Sequence, residues 1–174
     1  MKNKTTIYFV EGKCEEKLLN ELKKEPELIT LGRVQVFNVL TNRISTSKLM
    51  TFKKNVNVCF VFDSDGEQNL TIYNHNISVL KKYVSGVHIY NFVQIRNLED
   101  ELVRATDLKK IEELTGSKSS KDFKTDFLSC SNFRQLLERH NFDVKKMWCT
   151  EPTDSFRGII QDAYLFIRLP KDIL

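Results

Sequence analysis

The chain has 174 residues, a length that suits one domain able to bury a sizeable core without disulfide bonds or structural metals. Hydrophobic residues make up 41% of the sequence and charged residues 29%, which excludes a disordered chain and indicates a globular one. The formal net charge of +4 is compatible with binding a polyanion but is too small to indicate it.

The four cysteines indicate free thiols in a reducing environment. None belongs to a C-x-x-C pair, and no histidine lies at metal-ligand spacing from any of them, which excludes a zinc-finger type of site. We find neither a leader-like segment nor an apolar run long enough to span a membrane. We therefore expect a soluble, cytoplasmic protein.

The first two predicted elements are a strand and a helix. The strand, Thr5–Val10, is apolar and β-rich, and the carboxylate of Glu11 follows it directly. The helix is predicted over Lys13–Lys24, where three leucines share one face and a proline follows. Glu15 and Glu16 lie in its first turn, where a negative charge interacts favourably with the helix dipole. We interpret Glu16 in this way and leave the role of Glu15 open.

The next elements lead to the central strand of the fold. Residues Arg33–Val39 alternate like a strand, and Thr46–Lys53 are predicted to form a short helix. Residues Val56–Phe62 then form a nearly continuous apolar run, which is typical of a strand covered on both faces. This run is the predicted centre of a sheet.

Two aspartates follow the central strand, in the sequence DSDG over residues 63–66. Because side chains alternate along a strand, Asp63 and Asp65 point the same way and repel each other unless a cation or a proton lies between them. In open α/β sheets, ligands bind beyond the carboxyl ends of the strands. We therefore predict a metal site here. The alternative is an ordinary acidic turn.

A further helix over residues 73–84 and a strand, Val87–Val93, complete a βαβαβαβ order. This alternation predicts an α/β fold with an open parallel sheet of about four strands and flanking helices. Asn97 suits a helix N-cap and Asp100 its partner, which leaves Glu99 without a capping role. A third group of acidic residues is thus expected at the same edge of the sheet.

The remaining chain, residues 105–174, is predicted to be a helical C-terminal extension packed on a core of residues 1–104, within one compact domain. Helices are expected to end at Gly116, to span 122–128, and to begin after Ser131 and Ser155. We interpret His140 as structural. Trp148 is interpreted as packing in the core, with stacking on a nucleic-acid base as the alternative.

Two of these motifs together resemble the TOPRIM fold, which primases, topoisomerases and small nucleases share, OLD-family nucleases among them. The segment YFVEGKCEE is close to the family's strand-VEGxxE pattern, and about fifty residues later FVFDSDG matches its strand-DxDG pattern. The resemblance covers roughly residues 5–104. The gate domains of topoisomerases and the zinc ligands of primases have no counterpart here, so the small nucleases are the most similar members.

The resemblance implies a role for each residue that matches the family's motifs. Glu11 would be a general acid or base, or a metal ligand. Asp63 and Asp65 would hold Mg²⁺ or Mn²⁺. Glu99, together with Asp100, matches the acidic position that OLD-like members place after the next strand. Lys124, in the segment DFKTDF, loosely matches a lysine that such nucleases use near the scissile phosphate.

The function that the resemblance implies is endonuclease cleavage of DNA or RNA. Mg²⁺ prefers hard oxygen ligands and keeps several waters, so a few carboxylates suffice to hold it. A lysine can neutralise charge that develops on a phosphate. We expect further basic side chains to contact the nucleic-acid backbone, with a solvated surface as the alternative for most of them; these are Lys13, Lys118, Lys121, Lys145 and Lys146.

Partners and other functions remain open at this point. No GxxxxGK[ST] motif occurs, so an ATPase of the OLD type would have to be a partner chain. The resemblance to small nucleases of this family implies a role in prokaryotic or phage defence. The alternative function is a non-catalytic TOPRIM-fold subunit that binds a partner in a larger complex. A phosphate-handling domain like a response regulator is a third hypothesis, which Glu11 after the first strand does not suit.

Overall fold

The computed structural model describes residues 5–65 and 70–167, so Gly66 of the acidic motif and the two chain ends lie outside it. Four strands form one sheet in which all neighbours are parallel. Their order across the sheet is β2-β1-β3-β4. The prediction of an α/β fold with an open, four-stranded parallel sheet is confirmed. The strands are β1 (Thr5–Val10), β2 (Arg33–Val36), β3 (Val56–Asp63) and β4 (His88–Gln94).

Helices connect the strands and continue after them. Short 3-10 turns, rather than α-helices, make up the last part of the described chain: Val144–Lys146, Asp154–Phe156 and Ala163–Leu165. Within the described residues, no helix is both long and apolar enough to cross a membrane. The helices are α1 (Lys13–Leu22), α2 (Thr46–Leu49), α3 (Thr71–Tyr83), α4 (Leu98–Arg104), α5 (Glu112–Thr115), α6 (Ser120–Ser129) and α7 (Phe133–Arg139).

The sheet is buried on both faces, which explains the continuous apolar run in β3. Cys59 and Val61 pack on one face, in a core that includes α1, α4, α6 and α7. Phe60 and Phe62 pack on the opposite face, in a second core with α3. Since neighbouring side chains of a strand point to opposite faces, both parities of β3 must be apolar.

The strand order places a topological switch point between β1 and β3. From β1 the chain moves outward to β2, and it then returns past β1 to form β3 on the other side. The connections at the carboxyl ends of β1 and β3 therefore diverge and leave a crevice between them. In doubly wound sheets this crevice is where ligands bind.

The prediction of a helix after Ser155 is wrong. In its place the chain runs along the outer edge of β4 and satisfies the backbone groups there. The side chain of Gln161 accepts from Val93 N–H at 3.1 Å and donates to the Val93 carbonyl at 2.8 Å. Asp162 exchanges similar bonds with the backbone of Asn91. An unpaired sheet edge thus determines the conformation of this segment, and helical periodicity does not.

Smaller differences concern where elements begin and end. Strand β2 stops at Val36 because the Asn38 side chain accepts from Leu40 and Thr41 N–H groups and turns the chain. The helix expected to start after Ser131 has Asn132 as its N-cap residue. Helix α2 is only one turn long and ends at Leu49, four residues before the predicted end.

The interpretation of Trp148 as a packing residue is confirmed. Trp148 is buried, and its ring centroid lies 5.3 Å from that of Phe92. His140 Nδ1 lies 3.2 Å from Asp107 Oδ1 and so anchors the end of α7. All four cysteines are free thiols.

A buried carboxylate fastens α4 to the rest of the fold. Glu101 is fully buried, accepts from Ile95 N–H at 2.8 Å and Trp148 N–H at 2.7 Å, and pairs with Arg104 at 2.7 Å. Trp148 has a backbone φ of 52°, a left-handed conformation that is costly for a bulky residue. Glu101 therefore holds both the start of α4 and a strained segment from the C-terminal part of the chain.

Replacing Glu101 with glutamine should destabilise the protein. The amide –NH₂ would face one of two backbone donors, so one buried N–H loses its acceptor and Arg104 loses its counter-ion. We expect the Glu101→Gln variant to lose about 1–3 kcal/mol of unfolding free energy, measured by urea denaturation. Glu138→Gln, which changes a 59% exposed carboxylate paired with Arg134, is the control and should change stability by less than about 1 kcal/mol. Equal losses in the two variants would contradict this role of Glu101.

Candidate active site

The candidate site lies at the carboxyl ends of the two central strands. Glu11 follows the last residue of β1, and Asp63 is the last residue of β3. Because β1 and β3 are adjacent and in parallel register, the two residues meet: the Asp63 backbone N–H donates to Glu11 Oε2 at 3.2 Å. The two carboxylates thus lie together at the switch point of the sheet.

Two further charged side chains reach the same place from the helices. Glu99 is in the first turn of α4, which begins where the Asn97 side chain accepts from Asp100 N–H at 3.0 Å. Lys124 comes from α6, and its Nζ lies 3.3 Å from Glu99 Oε1. Glu99 belongs to the predicted core and Lys124 to the predicted C-terminal extension, so this ion pair links the two segments.

Helix α6 is held in position by a lysine of α1. Lys17 Nζ donates to the carbonyls of Phe127 at 2.6 Å, of Leu128 at 3.1 Å, and of Cys130. These carbonyls lie in and just after the last turn of α6, where backbone acceptors have no helical partner and positive charge is favourable. Lys17 thus anchors the helix that carries Lys124.

A cavity of about 270 Å³ joins these groups. It is open to solvent on one side and lies between the ends of β1 and β3, the start of α1 and helices α4 and α6. The residues around it are Glu11, Gly12, Lys13, Cys14, Glu15, Asp63, Glu99, Lys124 and Leu128.

Glu15 is a site residue whose position the sequence did not settle. It is buried, although it lies in the first turn of α1, where carboxylates are commonly exposed. A Cβ at Gly12 would lie only 3.0 Å from Glu15 Oε2, so the glycine leaves room for this carboxylate. Burial raises the pKa of Glu15; the backbone N–H groups of Glu15 and Gly12 oppose this, and Glu11 and Glu99 add to it. Glu15 therefore bonds to the backbone at the start of α1 and also lines the cavity.

The electrostatics of the cavity centre on Asp63. Burial, followed by the nearby carboxylates of Glu15 and Glu11, and then Asp65 and Glu99, raises the pKa of Asp63 to about 9. In the absence of a cation, Asp63 is therefore protonated at neutral pH. A proton takes the place that a positive ion would fill, as expected where several carboxylates share one site.

The other titratable groups in the cavity respond to the same negative charge. Partial burial acts to lower the pKa of Lys124, but Glu99 beside it, with Cys14 and Asp63, outweighs that effect and raises the pKa. Burial, with Glu15 and Glu99 nearby, raises the pKa of the Cys14 thiol to about 11. Lys124 is therefore a cation and Cys14 a neutral thiol at neutral pH.

The chemistry of the carboxylates fits a divalent cation. Asp63 Oδ1 is buried and has no hydrogen-bond partner among the described residues. Over the same residues, no three aspartate, glutamate, histidine or cysteine side chains are arranged around a common point as ligands. Mg²⁺ does not need such a set, because it keeps several waters and is commonly held by one or two carboxylates together with substrate phosphates. Glu11 and Asp63 match that pattern.

Two predicted metal residues lie outside the cavity lining. Asp65 is exposed, and its backbone N–H donates to the Arg96 carbonyl at 3.0 Å. Asp100 Oδ2 lies 3.1 Å from Arg96 Nε. Both aspartates therefore contact Arg96, which is not among the residues that line the cavity. The Arg96 side chain is 77% exposed, and its backbone φ is 69°. No sequence pattern predicted either feature.

Of the lysines predicted to bind nucleic acid, only Lys13 lines the cavity. Its Nζ contacts Glu16 at 2.7 Å. Lys118 lines a separate depression together with Asp122 and Asp126. The remaining ones, Lys121, Lys145 and Lys146, are exposed.

Comparison with known proteins identifies no relative. No protein-family model matches the sequence, and no curated protein and no solved structure is similar to it. Any function assigned to the site must therefore come from the residues, their arrangement and their chemistry.

The raised pKa of Asp63 predicts how the stability of the metal-free protein depends on pH. Between the ordinary pKa of 3.8 and the raised value of about 9, the folded protein keeps a proton that the unfolded chain loses. The free energy of unfolding should therefore fall as pH rises through this window. Asp63→Asn should remove the part of this dependence that Asp63 contributes. In EDTA at pH 8, we expect the variant to be more stable than the wild type by about 1 kcal/mol or more, because one pKa unit corresponds to about 1.4 kcal/mol.

The comparison should be repeated at pH 4.5, where the stability difference between wild type and Asp63→Asn should shrink. Glu138→Gln, an exposed carboxylate outside the cavity, is the control and should follow the wild type at both pH values. A pH-independent difference would mean that Asp63 is not the group that titrates.

Proposed function

We propose that the protein is a divalent-metal-dependent endonuclease of the small TOPRIM type, which hydrolyses phosphodiester bonds in DNA or RNA. The observation that carries the proposal is the meeting of Glu11 and Asp63 at the switch point, with Glu99 and Lys124 in the same cavity. Glu11 and Asp63 are also the residues that match the two TOPRIM-like motifs. The cytoplasm is the proposed location, and an ATPase chain is a proposed partner.

Each side chain has a chemical role that its position permits. Glu11 and Asp63 would hold Mg²⁺ or Mn²⁺ through carboxylate oxygens. Such an ion, when bound, polarises a phosphoryl oxygen and makes a bound water more acidic. Lys124 is the cation that would neutralise charge on the scissile phosphate. Glu99 orients Lys124 through the 3.3 Å ion pair.

The charge balance of the cavity supports a polyanionic substrate only if a metal is present. Glu11, Glu15, Asp63 and Glu99 contribute up to four negative charges, against which the lining offers Lys13 and Lys124. A phosphodiester would be repelled by this cavity alone. Glu11 and Asp63 would hold a divalent cation, which would add positive charge where a phosphate approaches.

Removing the central carboxylate should abolish cleavage. We expect Asp63→Ala to reduce the metal-dependent cleavage rate by about 100-fold or more, because it removes a metal ligand. Cleavage of supercoiled plasmid, single-stranded DNA and total RNA is measured with Mg²⁺ and with Mn²⁺, and EDTA should stop it. The variant should also lose the Mg²⁺-dependent rise in unfolding temperature that we expect of the wild type.

The control for this variant is Glu138→Gln, which should cleave at the wild-type rate. Undiminished turnover by Asp63→Ala would rule out the metal site. Metal binding without cleavage of any of the three substrates would instead support the alternative function, a non-catalytic subunit that binds a partner.

Lys124 should contribute to the rate and not to metal binding. We expect Lys124→Met to slow cleavage by about 10-fold or more, because a positive charge near the developing negative charge is lost. The Mg²⁺-dependent shift in unfolding temperature should stay, since Lys124 is not a ligand. Lys110→Met removes an exposed lysine outside the cavity and serves as the charge-matched control. If both variants cleave at the same rate, Lys124 is not part of the site.

A further inference from the structure

Gln94 is an unexplained buried polar residue next to the site. It is the last residue of β4, it is fully buried, and neither its amide nitrogen nor its amide oxygen has a hydrogen-bond partner among the described residues. The strand register pairs it directly with Asp63. Paired residues of parallel strands point to the same face of the sheet, so the two side chains are neighbours.

Two other buried amides, Asn76 and Gln161, have hydrogen-bond partners. Asn76 is fully buried as well, and its side chain bonds to the backbone of Ile44, Val39 and Asn42. Gln161 is buried and bonds to both backbone groups of Val93. An unsatisfied buried amide costs about 1–3 kcal/mol, so its retention calls for a reason other than stability.

Two groups near Gln94 also lack hydrogen-bond partners within the described part of the chain, and one is an acceptor and the other a donor. Asp63 Oδ1 lacks a donor, and the indole Nε1–H of the buried Trp148 lacks an acceptor. Trp148 packs on Phe92, two residues before Gln94 on the same face of β4. Its backbone N–H and that of Ile95, the residue after Gln94, bind the two oxygens of Glu101. An indole can only donate and an ionised carboxylate can only accept, whereas an amide does both.

We propose that Gln94 is a positioning residue that orients the Asp63 carboxylate for binding a divalent cation, and that Trp148 in turn orients Gln94. With a cation in the site, the indole N–H donates to Gln94 Oε1, and Gln94 Nε2–H donates to Asp63 Oδ1. The other Asp63 oxygen is thereby directed into the cavity. This inference rests on the metal site of the proposed function.

An amide placed between an indole donor and a carboxylate acceptor can bond to both. A hydrogen bond from an N–H group to a carboxylate is shorter and stronger than one to a neutral acceptor. Over the residues that the structure describes, the indole N–H, the Gln94 amide and Asp63 Oδ1 have no hydrogen-bond partner, so the cost of burying Gln94 is present without a cation.

The test compares two buried glutamines, Gln94 at the end of β4 and Gln161 beside β4. Gln94→Met and Gln161→Met both replace a buried amide with an unbranched apolar side chain of similar length. Without metal, Gln94→Met should keep or raise the unfolding temperature, because two unsatisfied polar atoms are removed. Gln161→Met should lower it by about 2–6 °C, because two backbone groups lose their partners.

Metal affinity should respond in the opposite order. Mg²⁺ binding is measured by titration calorimetry without nucleic acid, so that turnover plays no part. We expect the Kd of Gln94→Met to rise by about 10-fold or more, as for other groups that support a ligand. The Kd of Gln161→Met should stay within about twofold of wild type. An unchanged Kd in Gln94→Met overturns the proposal.

The single tryptophan of the chain supplies a spectroscopic readout. Its one indole N–H resonance should shift on adding Mg²⁺ to the wild type and should not shift in Gln94→Met. If the indole resonance of the wild type does not respond to saturating Mg²⁺, Trp148 is not part of the chain.

The outcomes separate this inference from the proposed function. If the wild type binds no Mg²⁺, the metal site and this inference both fail. If the wild type binds Mg²⁺ and Gln94→Met binds equally well, only the inference fails. If the expected changes in affinity occur but no nucleic acid is cleaved, the inference stands and the nuclease proposal fails.

Discussion

The crowding of carboxylates at the switch point is the constraint on which the rest of the site depends. Asp63 is half-buried beside Glu11 and Glu15, and burial, followed by these two carboxylates, raises its pKa to about 9. Such a cluster opposes the stability of the fold whenever the proton is lost. The divalent cation of the proposed function would remove this repulsion, and carboxylate oxygens are ligands that Mg²⁺ prefers.

The sheet creates this crowding through its connectivity. Because the strand order is β2-β1-β3-β4, the carboxyl ends of β1 and β3 are adjacent although about fifty residues separate them in the chain. The backbone N–H of Asp63 then reaches Glu11, so the geometry of the carboxylate pair is fixed by strand register. The helices add charge from the side: α1 brings Glu15, α4 brings Glu99 and α6 brings Lys124.

The parts of the site that sequence could predict are those that follow from local order. Glu11 and Asp63 directly follow recognisable apolar strands, and alternation of strands with helices brings such ends to one edge. Residues whose role depends on contacts made elsewhere could not be predicted. Glu15 is indistinguishable from an ordinary first-turn carboxylate, and Gln94 continues an apolar strand. The segment after Ser155 has helical spacing, but the open edge of β4 recruits Gln161 and Asp162 instead.

The C-terminal part of the described chain completes the site, and this bears on how the two predicted segments relate. Lys124 lies after residue 104 and pairs with Glu99, which lies before it. Lys17 from the first segment anchors α6, and Glu101 binds the backbone of Trp148. Both contacts cross the predicted boundary, and the first holds the helix that carries Lys124 into the cavity. The helical segment is therefore a structural requirement of the cavity, and removing it would take away the cationic side of the site as well as one wall of the core.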